Sequence, residues 1–523
     1  MGRIMPALLL VALLLCSAVA SRAAENAPLT RGTAIIDPFA LRALDAGRFG
    51  LARILAPARS ANGPLTNSEL FALPAMVPVR RALDAEFERY VARHKAELPN
   101  ESIGVGPSFA FQLFDRAALD SPDTRFVLSG IVNRMDRAYA NPADCGEIRL
   151  IYRLTRTNAA KIGEASVSPR LPMTLNVVLR AKGGDQAAGD GAAISCAEIA
   201  RRWLATADLN VTGAELAAKL TEKGGALFTV APENVFRIEI NLQIAHAPKS
   251  PVQDFRTDYL MKVFDYDEGT RVFDEVPLED QIDRERLLAD KDLQREFKAW
   301  LLEPAHFSEL DRGTVVIPDK FLAKRAIVPM PVGFAPSELQ PAYGLVAGED
   351  GTKNLVFSER DVIGALQRAA QRGTKLQNIQ SVAGFERRLN DITCAGCHQT
   401  RGIGGFHFPG VDWMAAKPSN TVVVPASPHF FGDQVRRRDI LAAFRDGTAV
   451  DFSRGFSSRP QLRGSTELAG TVYENGWGAH CYVPHAEASE NDPSFRPWGC
   501  AEGLSCQPMS PVSRMGMCFV KSR

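Results

Sequence analysis

Two cysteines three residues apart, with a histidine directly behind the second, form the most chemically specific string in this chain. The string lies in ITCAGCHQTRGIGGFHFPG, residues 392–410, and consists of Cys394, Cys397 and His398. Three chemistries use such a string: covalent attachment of haem, thiol–disulfide exchange, and half of a zinc site. With 9 cysteines and 8 histidines among 523 residues, chance is a poor explanation of it.

The alternatives to haem fit the surroundings less well. A disulfide exchanger is favoured by a thioredoxin-like βαβ setting, which the sequence around Cys394 does not offer. A zinc site needs a second pair of ligands, which His407 and His429 would supply, and a plain structural disulfide also stays open. Haem attachment is the interpretation that we favour.

The string resembles the attachment site of c-type cytochromes, and the resemblance covers the motif and its immediate surroundings. It implies one haem c, joined through thioethers to Cys394 and Cys397, with His398 as the proximal iron ligand. In class I cytochromes c, a proline about a dozen residues past the motif orients the proximal imidazole through its carbonyl. Pro409 follows His398 by eleven residues. The resemblance fails downstream, where no short cytochrome domain ending in a methionine loop is evident.

The second axial ligand of the iron stays open at the level of sequence. His407 is the first candidate as a metal ligand, because the eight residues between it and His398 can reach around a haem. Met414 and His429 are the other candidates, and each of the three has a plain alternative in packing. An iron whose sixth coordination position is open would instead favour catalysis over electron transfer. If the protein is an enzyme, it would then be a peroxidase-like, haem-dependent oxidoreductase. No catalytic residue can be assigned.

Basic residues near the motif are candidates for contact with the haem propionates, although a solvated helix face explains each of them equally well. They are Arg387, Arg388, Arg401, Arg436, Arg437 and Arg438.

A second polar group lies in NRMDRAYANPADCGEIRLIYRL, residues 133–154. One interpretation of this segment is a group of side chains around a metal or a substrate, formed by Asn133, Asp136 and Glu147. A turn with salt bridges explains the same residues equally well. Together with the haem motif, this segment resembles a group of uncharacterised exported bacterial proteins that carry such a motif. That resemblance spans most of the chain and implies no activity.

The N-terminus has the features of a secretory signal peptide. Residues 1–20 combine a basic start at Arg3, an apolar run and an Ala-x-Ala end, which predicts cleavage after Ala20. We therefore expect a periplasmic or secreted protein, in agreement with haem attachment outside the bacterial cytoplasm. No later stretch approaches the roughly 18 uninterrupted apolar residues of a membrane helix, so no transmembrane segment is expected.

The composition is that of an ordinary globular protein. The chain is 46% hydrophobic and 23% charged, and its 61 basic and 60 acidic residues give a formal charge of +1. Nothing in this balance indicates a nucleic acid or an anionic membrane as a partner.

The cysteines outside the motif are expected to pair, because Cys16 leaves with the signal peptide and an exported protein retains few free thiols. We expect Cys145 to be joined to Cys196. Four more cysteines, at 481, 500, 506 and 518, lie in a short C-terminal segment that needs covalent support.

The C-terminal segment is similar to cysteine-rich folds of the colipase and dickkopf type in its C-x-x-G-L-x-C core. This similarity would imply binding to another macromolecule, whereas the plain alternative is a clamp on the main domain. Of the three possible connectivities we expect first-to-third and second-to-fourth, which are Cys481–Cys506 and Cys500–Cys518.

The elements that must position these residues predict an α+β fold. Residues 25–120 are mainly helical, and VPVRRALDAEFERYVARHKAEL is the clearest helix. Helices are also predicted over CAEIARRWLATA with Ser195 as its cap, over 279–303, over 361–372 and over GFERRLNDI before the motif. Strands of an antiparallel sheet are predicted over FVLSGIV, EIRLIYRL, MTLNVVLR, FRIEINLQIAH and DYLMKVFDY.

Four segments follow from these patterns. They are a signal peptide at 1–20, an α+β region at 25–350 with an antiparallel-rich sheet in one or two domains, a mostly helical haem c-binding segment at 351–470, and a disulfide-rich module at 471–523. The expected function is electron transfer through one covalently bound haem c to an unidentified redox partner in the cell envelope. The alternative is a cell-envelope binding protein in which the haem segment is mostly structural and the cystine module is the contact surface.

Overall fold

A ten-stranded sheet dominates the computed structural model of this protein. The structure describes residues 31–58, 63–157, 170–181, 194–247, 256–330, 346–347, 356–393, 408–414, 430, 433–456, 475–476, 479–482, 498–508 and 515–520. The strands of the sheet are β1 Ala34–Ile35, β2 Ile103–Gly104, β3 Phe111–Leu113, β4 Thr124–Arg134, β5 Glu147–Arg156, β6 Arg170–Arg180, β7 Val235–Ala247, β8 Arg256–Asp267, β9 Val272–Val276 and β10 Ala326–Met330.

The sheet runs in the order β1-β4-β5-β6-β7, continues from β7 to β3 and β2, and continues on the other side of β7 to β8, which pairs with β9 and β10. Its pairs are antiparallel except for β2 with β3, which is parallel. All five predicted strands are present, and the predicted α+β class is confirmed.

Strand β7 shows how the sequence divides the sheet into two faces. Ile238, Ile240 and Leu242 lie in the largest hydrophobic cluster, as their alternation predicts. Arg237 and Glu239, which alternate with them, therefore lie on the opposite face. The apolar face carries most of the core, and the polar face is available for a site.

Helices from the N-terminal half cover the apolar face, and side chains from them join the same cluster as the strand residues. The described residues up to 120 are mainly helical, as predicted for residues 25–120, and they also contain the short strands β1 to β3. These helices are α1 Pro38–Ala46, α2 Leu51–Leu55, α3 Asn67–Ala72, α4 Val77–Glu97, α5 Cys196–Ala205 and α6 Gly213–Thr221.

Helix α5 begins where its cap was predicted, since the Ser195 side chain accepts a hydrogen bond from the backbone N–H of Glu198. A disulfide joins Cys196, at the start of this helix, to Cys145 just before β5. The predicted Cys145–Cys196 bond is confirmed, and it ties the helical layer to the sheet.

A second hydrophobic cluster lies on the other side of the sheet, where Met261 and Val263 of β8 pack against a second set of helices. These helices are α7 Arg284–Ala289, α8 Lys291–Leu301, α9 Pro304–Arg312, α10 Glu359–Gln371 and α11 Val382–Ile392. A short parallel pair, β11 Val346–Ala347 with β12 Phe357–Ser358, precedes α10.

The single helix predicted over 279–303 is wrong, because the chain forms α7 and α8 instead. Asp290 ends the first and caps the second: its backbone is extended, and its carboxylate accepts hydrogen bonds from the N–H groups of Asp292 and Leu293. An aspartate used as a cap cannot also continue the preceding helix.

The C-terminal module is a three-stranded antiparallel sheet of β13 His480–Tyr482, β14 Leu504–Pro508 and β15 Met515–Val520. Both predicted disulfides, Cys481–Cys506 and Cys500–Cys518, are confirmed. One further helix, α12 Gln434–Asp446, packs against α5. Among the described helices, none has the length and apolar character required to cross a membrane.

Candidate functional site

The residues of the motif itself lie outside the described part of the chain. This applies to Cys394, Cys397 and His398, to His407 and His429, and to Arg401. What the structure describes are the two flanks of the motif: helix α11 up to Thr393, and residues 408–414. The site is therefore built from these flanks and from the sheet beneath them.

The upstream flank is a buried helix end. Ser381 caps α11 by accepting a hydrogen bond from the backbone N–H of Gly384, and Phe385 and Leu389 pack in the second hydrophobic cluster. The helix predicted before the motif is confirmed. Its end at Ile392 is followed by a fully buried Thr393, so the chain enters the motif from inside the protein.

Hydrogen bonds hold this helix and the segment just before it against α9. The carboxylate of Asp311 accepts from the N–H groups of Gln377, Asn378 and Ile379 at 2.6–2.7 Å. Arg388, which is fully buried on α11, donates to the carbonyl oxygens of Asp311 and Arg454 at 2.8 Å each. Charge-assisted bonds of this kind fix the upstream flank firmly.

The downstream flank is bound to a β-bulge in β4. The register between β4 and β5 shifts between Leu128 and Gly130, which leaves Ser129 without a partner on β5. The carbonyl oxygen of Ser129 accepts from the N–H of Val411, and that of Leu128 accepts from Nε1 of Trp413, both at 2.8 Å. The bulge thus presents carbonyl groups to the segment that follows the motif.

Gly130 permits a close approach between this flank and the sheet. A Cβ atom at that position would lie 3.0 Å from the carbonyl oxygen of Pro409, closer than an ordinary contact. The predicted hydrogen bond from the His398 imidazole to the Pro409 carbonyl stays a prediction, because His398 is outside the described residues. Arg170 completes the anchoring by donating to the carbonyl oxygen of Gly410 at 2.9 Å.

A cavity of about 220 Å³ lies on the polar face of the sheet, between the two flanks. Cross-strand neighbours form its floor: Ile151 pairs with Asn176, Asn176 with Glu239, and Glu239 with Val263. The end of the upstream flank and the first residue of the downstream flank both border it, and these are Asp391, Ile392, Thr393 and Phe408.

Phe408 marks the end of the cavity that lies over β4 and β5. The ring packs with Val132 and Ile151, and the guanidinium carbons of Arg134 and Arg149 lie 5.7 and 5.3 Å from its centroid. Cations at this distance over an aromatic face are attracted by its quadrupole. This end of the cavity therefore combines an aromatic wall with two arginines.

Ion pairs hold these arginines in place. Arg149 donates to Glu147 at 2.8 Å and to Glu239 at 2.7 Å. Burial alone would raise the pKa of Glu147, but the guanidinium groups of Arg149, Arg137 and Arg134 lower it to about 2. The carboxylate of Glu147 consequently stays charged at neutral pH and keeps its arginine partners oriented.

Asp280 also lines the cavity, but there the effect of burial on the pKa outweighs that of the neighbouring charges. Its backbone is left-handed, with φ of 57°, and its carboxyl group accepts a hydrogen bond from the N–H of Ile317. Burial raises the pKa of Asp280 to about 6, against the opposing effect of the charges on Arg137 and Arg454. Near neutral pH this is a buried carboxyl group that can exchange a proton.

The polar group predicted at Asn133, Asp136 and Glu147 resolves into a turn and salt bridges. Asn133 accepts a hydrogen bond from the N–H of Met135, and Asp136 pairs with Arg134 at 2.8 Å and with Arg436 at 2.9 Å. Among the described residues, one group of histidine, cysteine or acidic side chains is close enough to hold a metal ion. It consists of Cys481, Cys500 and Cys506, which are disulfide-bonded. The ionic contacts therefore favour a turn with salt bridges over a metal or substrate site at these residues.

The basic residues predicted from sequence make contacts elsewhere. Arg387 stacks on Phe456 and Trp498, with its guanidinium carbon 4.5 and 4.6 Å from their ring centroids. Arg437 pairs with Asp433 at 2.9 Å, and Arg438 donates to a backbone carbonyl. The expectation of a solvated helix face is wrong for the buried members of the set, which are Arg387, Arg388 and Arg437.

The arginines that line the cavity were missed by sequence reasoning. They are Arg134, Arg137, Arg149, Arg237 and Arg454. The first four alternate with apolar residues or follow a strand directly, which places them on the polar face of the sheet. Alternation alone cannot show that a second layer covers that face. Met414, a candidate ligand, is half-buried on the downstream flank and does not line the cavity.

Comparison with known proteins gives no further assignment, since no protein family, curated protein or solved structure matches the chain.

Proposed function

We propose that this protein is exported and transfers electrons through one haem c bound at Cys394 and Cys397, with His398 as the proximal ligand. The observation that carries the proposal is the Cys-x-x-Cys-His string, which has few other uses in a protein with paired cysteines. The cofactor supplies a one-electron couple whose potential depends on its second ligand, its burial and its hydrogen bonds.

The anchoring of both flanks supports this proposal. Covalent attachment needs the cysteines and the histidine to be held in one short segment, and the described residues on either side of that segment, Thr393 and Phe408, are both buried. Hydrogen bonds to the bulge in β4 hold the return point. Fixed ends restrict the conformations of the residues between them, which lowers the entropy lost when a site forms.

The surroundings of Phe408 suit one edge of a haem. An aromatic ring offers an apolar wall, and Arg134 and Arg149 offer guanidinium groups whose planar geometry matches carboxylates such as propionates. Glu147 and Asp136 hold these two arginines from the other side. The residues that border the motif thus fit the cofactor in chemical type.

A potentiometric titration of the full chain, followed in the visible spectrum, tests electron transfer. We expect one reversible step that fits a one-electron curve, because a single haem exchanges a single electron. A disulfide exchanger would give a two-electron step without a visible band. A colourless protein, or a two-electron couple at Cys394 and Cys397, would overturn the proposal.

A further inference from the structure

Three buried oxygen atoms line the cavity without a hydrogen-bond partner among the described residues. They are Oδ1 of Asn176 on β6, Oδ1 of Asn241 on β7, and Oδ1 of Asp280. The exposed fractions of these residues are 7%, 8% and 8%, so each side chain is more than nine-tenths buried. All three belong to one cavity.

Leaving such atoms unpaired is costly. A buried donor or acceptor without a partner has lost its hydrogen bonds to water and gained none in return. Folded proteins pair the great majority of buried polar groups, so a cluster of three acceptors in one cavity calls for an explanation. A bound molecule that offers several hydrogen-bond donors supplies one.

The charges around the cavity indicate that such a molecule is close to neutral. The charged side chains that line it in the described part of the chain are six cations and five acids: Arg134, Arg137, Arg149, Arg237, Lys262 and Arg454, with Glu239, Glu279, Asp280, Asp391 and Asp433. The arginines on the sheet face are already paired, Arg149 with Glu239 and Arg237 with Asp265. Because the positive and negative charges nearly cancel, the cavity would not neutralise a ligand that carries a large net charge of either sign.

Size and wall chemistry narrow the class further. The cavity of about 220 Å³ is below the ~300–1,000 Å³ typical of sites for drug-sized ligands. Met261 and Val263 give it apolar surface beside the asparagine amides, as a ring with C–H groups and hydroxyl groups requires. Two donors, Nε of Arg137 and Nε of Arg454, are also unpaired among the described atoms and suit hydroxyl oxygens.

We propose that this cavity binds a small polyhydroxylated molecule of monosaccharide size, whose hydroxyl groups donate to Asn176, Asn241 and Asp280. The site occupies the end of the cavity over β6 and β7, whereas Phe408 and its two arginines occupy the end over β4 and β5. This inference does not rest on haem attachment, because none of the three acceptors belongs to the motif or its flanks.

Isothermal titration of the full chain with four neutral probes, D-glucose, D-galactose, D-xylose and D-mannose, tests the proposal. We expect saturable one-to-one binding of at least one probe. Because each variant removes one hydrogen bond from a buried site, Asn176→Ser and Asn241→Ser should each weaken that binding about tenfold. L-lysine, a cation without hydroxyl groups, should not bind.

Asn67 provides the matched control. It is a fully buried asparagine on α3 whose Oδ1 is also unpaired among the described residues, but it lies outside the cavity. Asn67→Ser should therefore leave the affinity unchanged. If none of the four probes binds, or if both cavity variants bind as the unaltered protein does, the cavity holds water only and the proposal is wrong. A haem-free sample gives the same answer, which separates this result from the fate of the electron-transfer proposal.

Discussion

His407 is the residue on which the distinction between electron relay and chemistry depends. It lies directly before Phe408, and Phe408 is fixed against Val132 and Ile151. Pro409 follows immediately, and its carbonyl oxygen is directed at Gly130. Two roles are therefore expected of one short segment: His407 as the second iron ligand, and the Pro409 carbonyl as the partner of the His398 imidazole.

Replacing His407 with alanine tests its role as the second ligand. If it binds the iron, His407→Ala should turn the spectrum high-spin and allow rapid binding of carbon monoxide, because the sixth position becomes open. Met414→Ala and His429→Ala serve as controls and should keep the low-spin spectrum. An unchanged spectrum in His407→Ala would return this residue to a packing role.

Asp280 gives a prediction of pH dependence. Its pKa is raised to about 6, above the ordinary value of 3.8, so the folded protein binds this proton more tightly than the unfolded chain does. The resulting stability is fully present below pH 3.8 and is lost as the pH rises through about 6. Asp280→Asn removes the charged form, and at pH 8 it should raise the free energy of unfolding by up to about 3 kcal/mol.

Urea denaturation of both proteins across the pH range measures this effect. The difference between Asp280→Asn and the unaltered protein should shrink steadily from pH 7 to pH 4. A difference that stays constant with pH would show that the Asp280 carboxyl group does not titrate in the folded protein as its burial requires.

The β-bulge in β4 is the element that joins the sheet to the motif. Ser129 is left unpaired by β5, and its carbonyl oxygen is used by Val411 instead. Bulges occur often beside functional sites because they redirect a strand locally. The sequence FVLSGIV predicts a strand here, but a glycine inside a strand marks either a bulge or the close approach of another segment, so the pattern alone does not locate the bulge.

Gly130→Ala tests whether the bulge holds the downstream flank. The added Cβ would meet the Pro409 carbonyl oxygen at 3.0 Å, so the flank or the strand must shift. Overpacking of this kind typically costs about 1–3 kcal/mol, and we expect a matching loss in the free energy of unfolding together with faster proteolysis between residues 393 and 408. Gly455→Ala is the control, because no atom lies within 4 Å of its Cβ position. Equal behaviour of the two variants would contradict this account of the bulge.

The disulfide between β5 and α5 joins the two layers of the larger core. It closes a loop with a sequence separation of 51 residues, and on the chain-entropy account its removal should lower the free energy of unfolding by about 4 kcal/mol. Cys145→Ser with Cys196→Ser should therefore unfold at a clearly lower urea concentration, with an unchanged fold by circular dichroism. A double variant that unfolds at the same midpoint as the unaltered chain would show that the bond adds no constraint.

At the scale of the whole molecule, periodicity and cysteine arithmetic predicted most of the architecture. The alternation in β7 and the cap at Ser195 each specify their local structure, and the even cysteine count specified three disulfides. The cavity could not be predicted, because it forms where segments from the second set of helices, such as the end of α11, cover the polar face of strands that lie far away in sequence. Long-range coverage of this kind leaves no local pattern in a sequence.

The split of the predicted helix at Asp290 shows the same limit at shorter range. Helical spacing continues through this residue, but its carboxylate bonds to two backbone N–H groups and starts a new helix. For the buried arginines Arg387 and Arg388, the sequence left contact with haem propionates and a solvated helix face both open, because their partners come from distant segments such as Arg454 and Phe456.

Covalent attachment of haem at Cys394 and Cys397 is the central claim, and extraction with acidified acetone after denaturation tests it most directly. Protein produced in a host with a cytochrome c maturation system should keep its colour through this treatment, because a thioether bond survives where a coordinated haem is lost. Cys394→Ala with Cys397→Ala should yield colourless protein, while the matched pair Cys481→Ala with Cys506→Ala should stay coloured. Unaltered protein that releases its colour into the acetone, or that never takes up haem, would contradict the account.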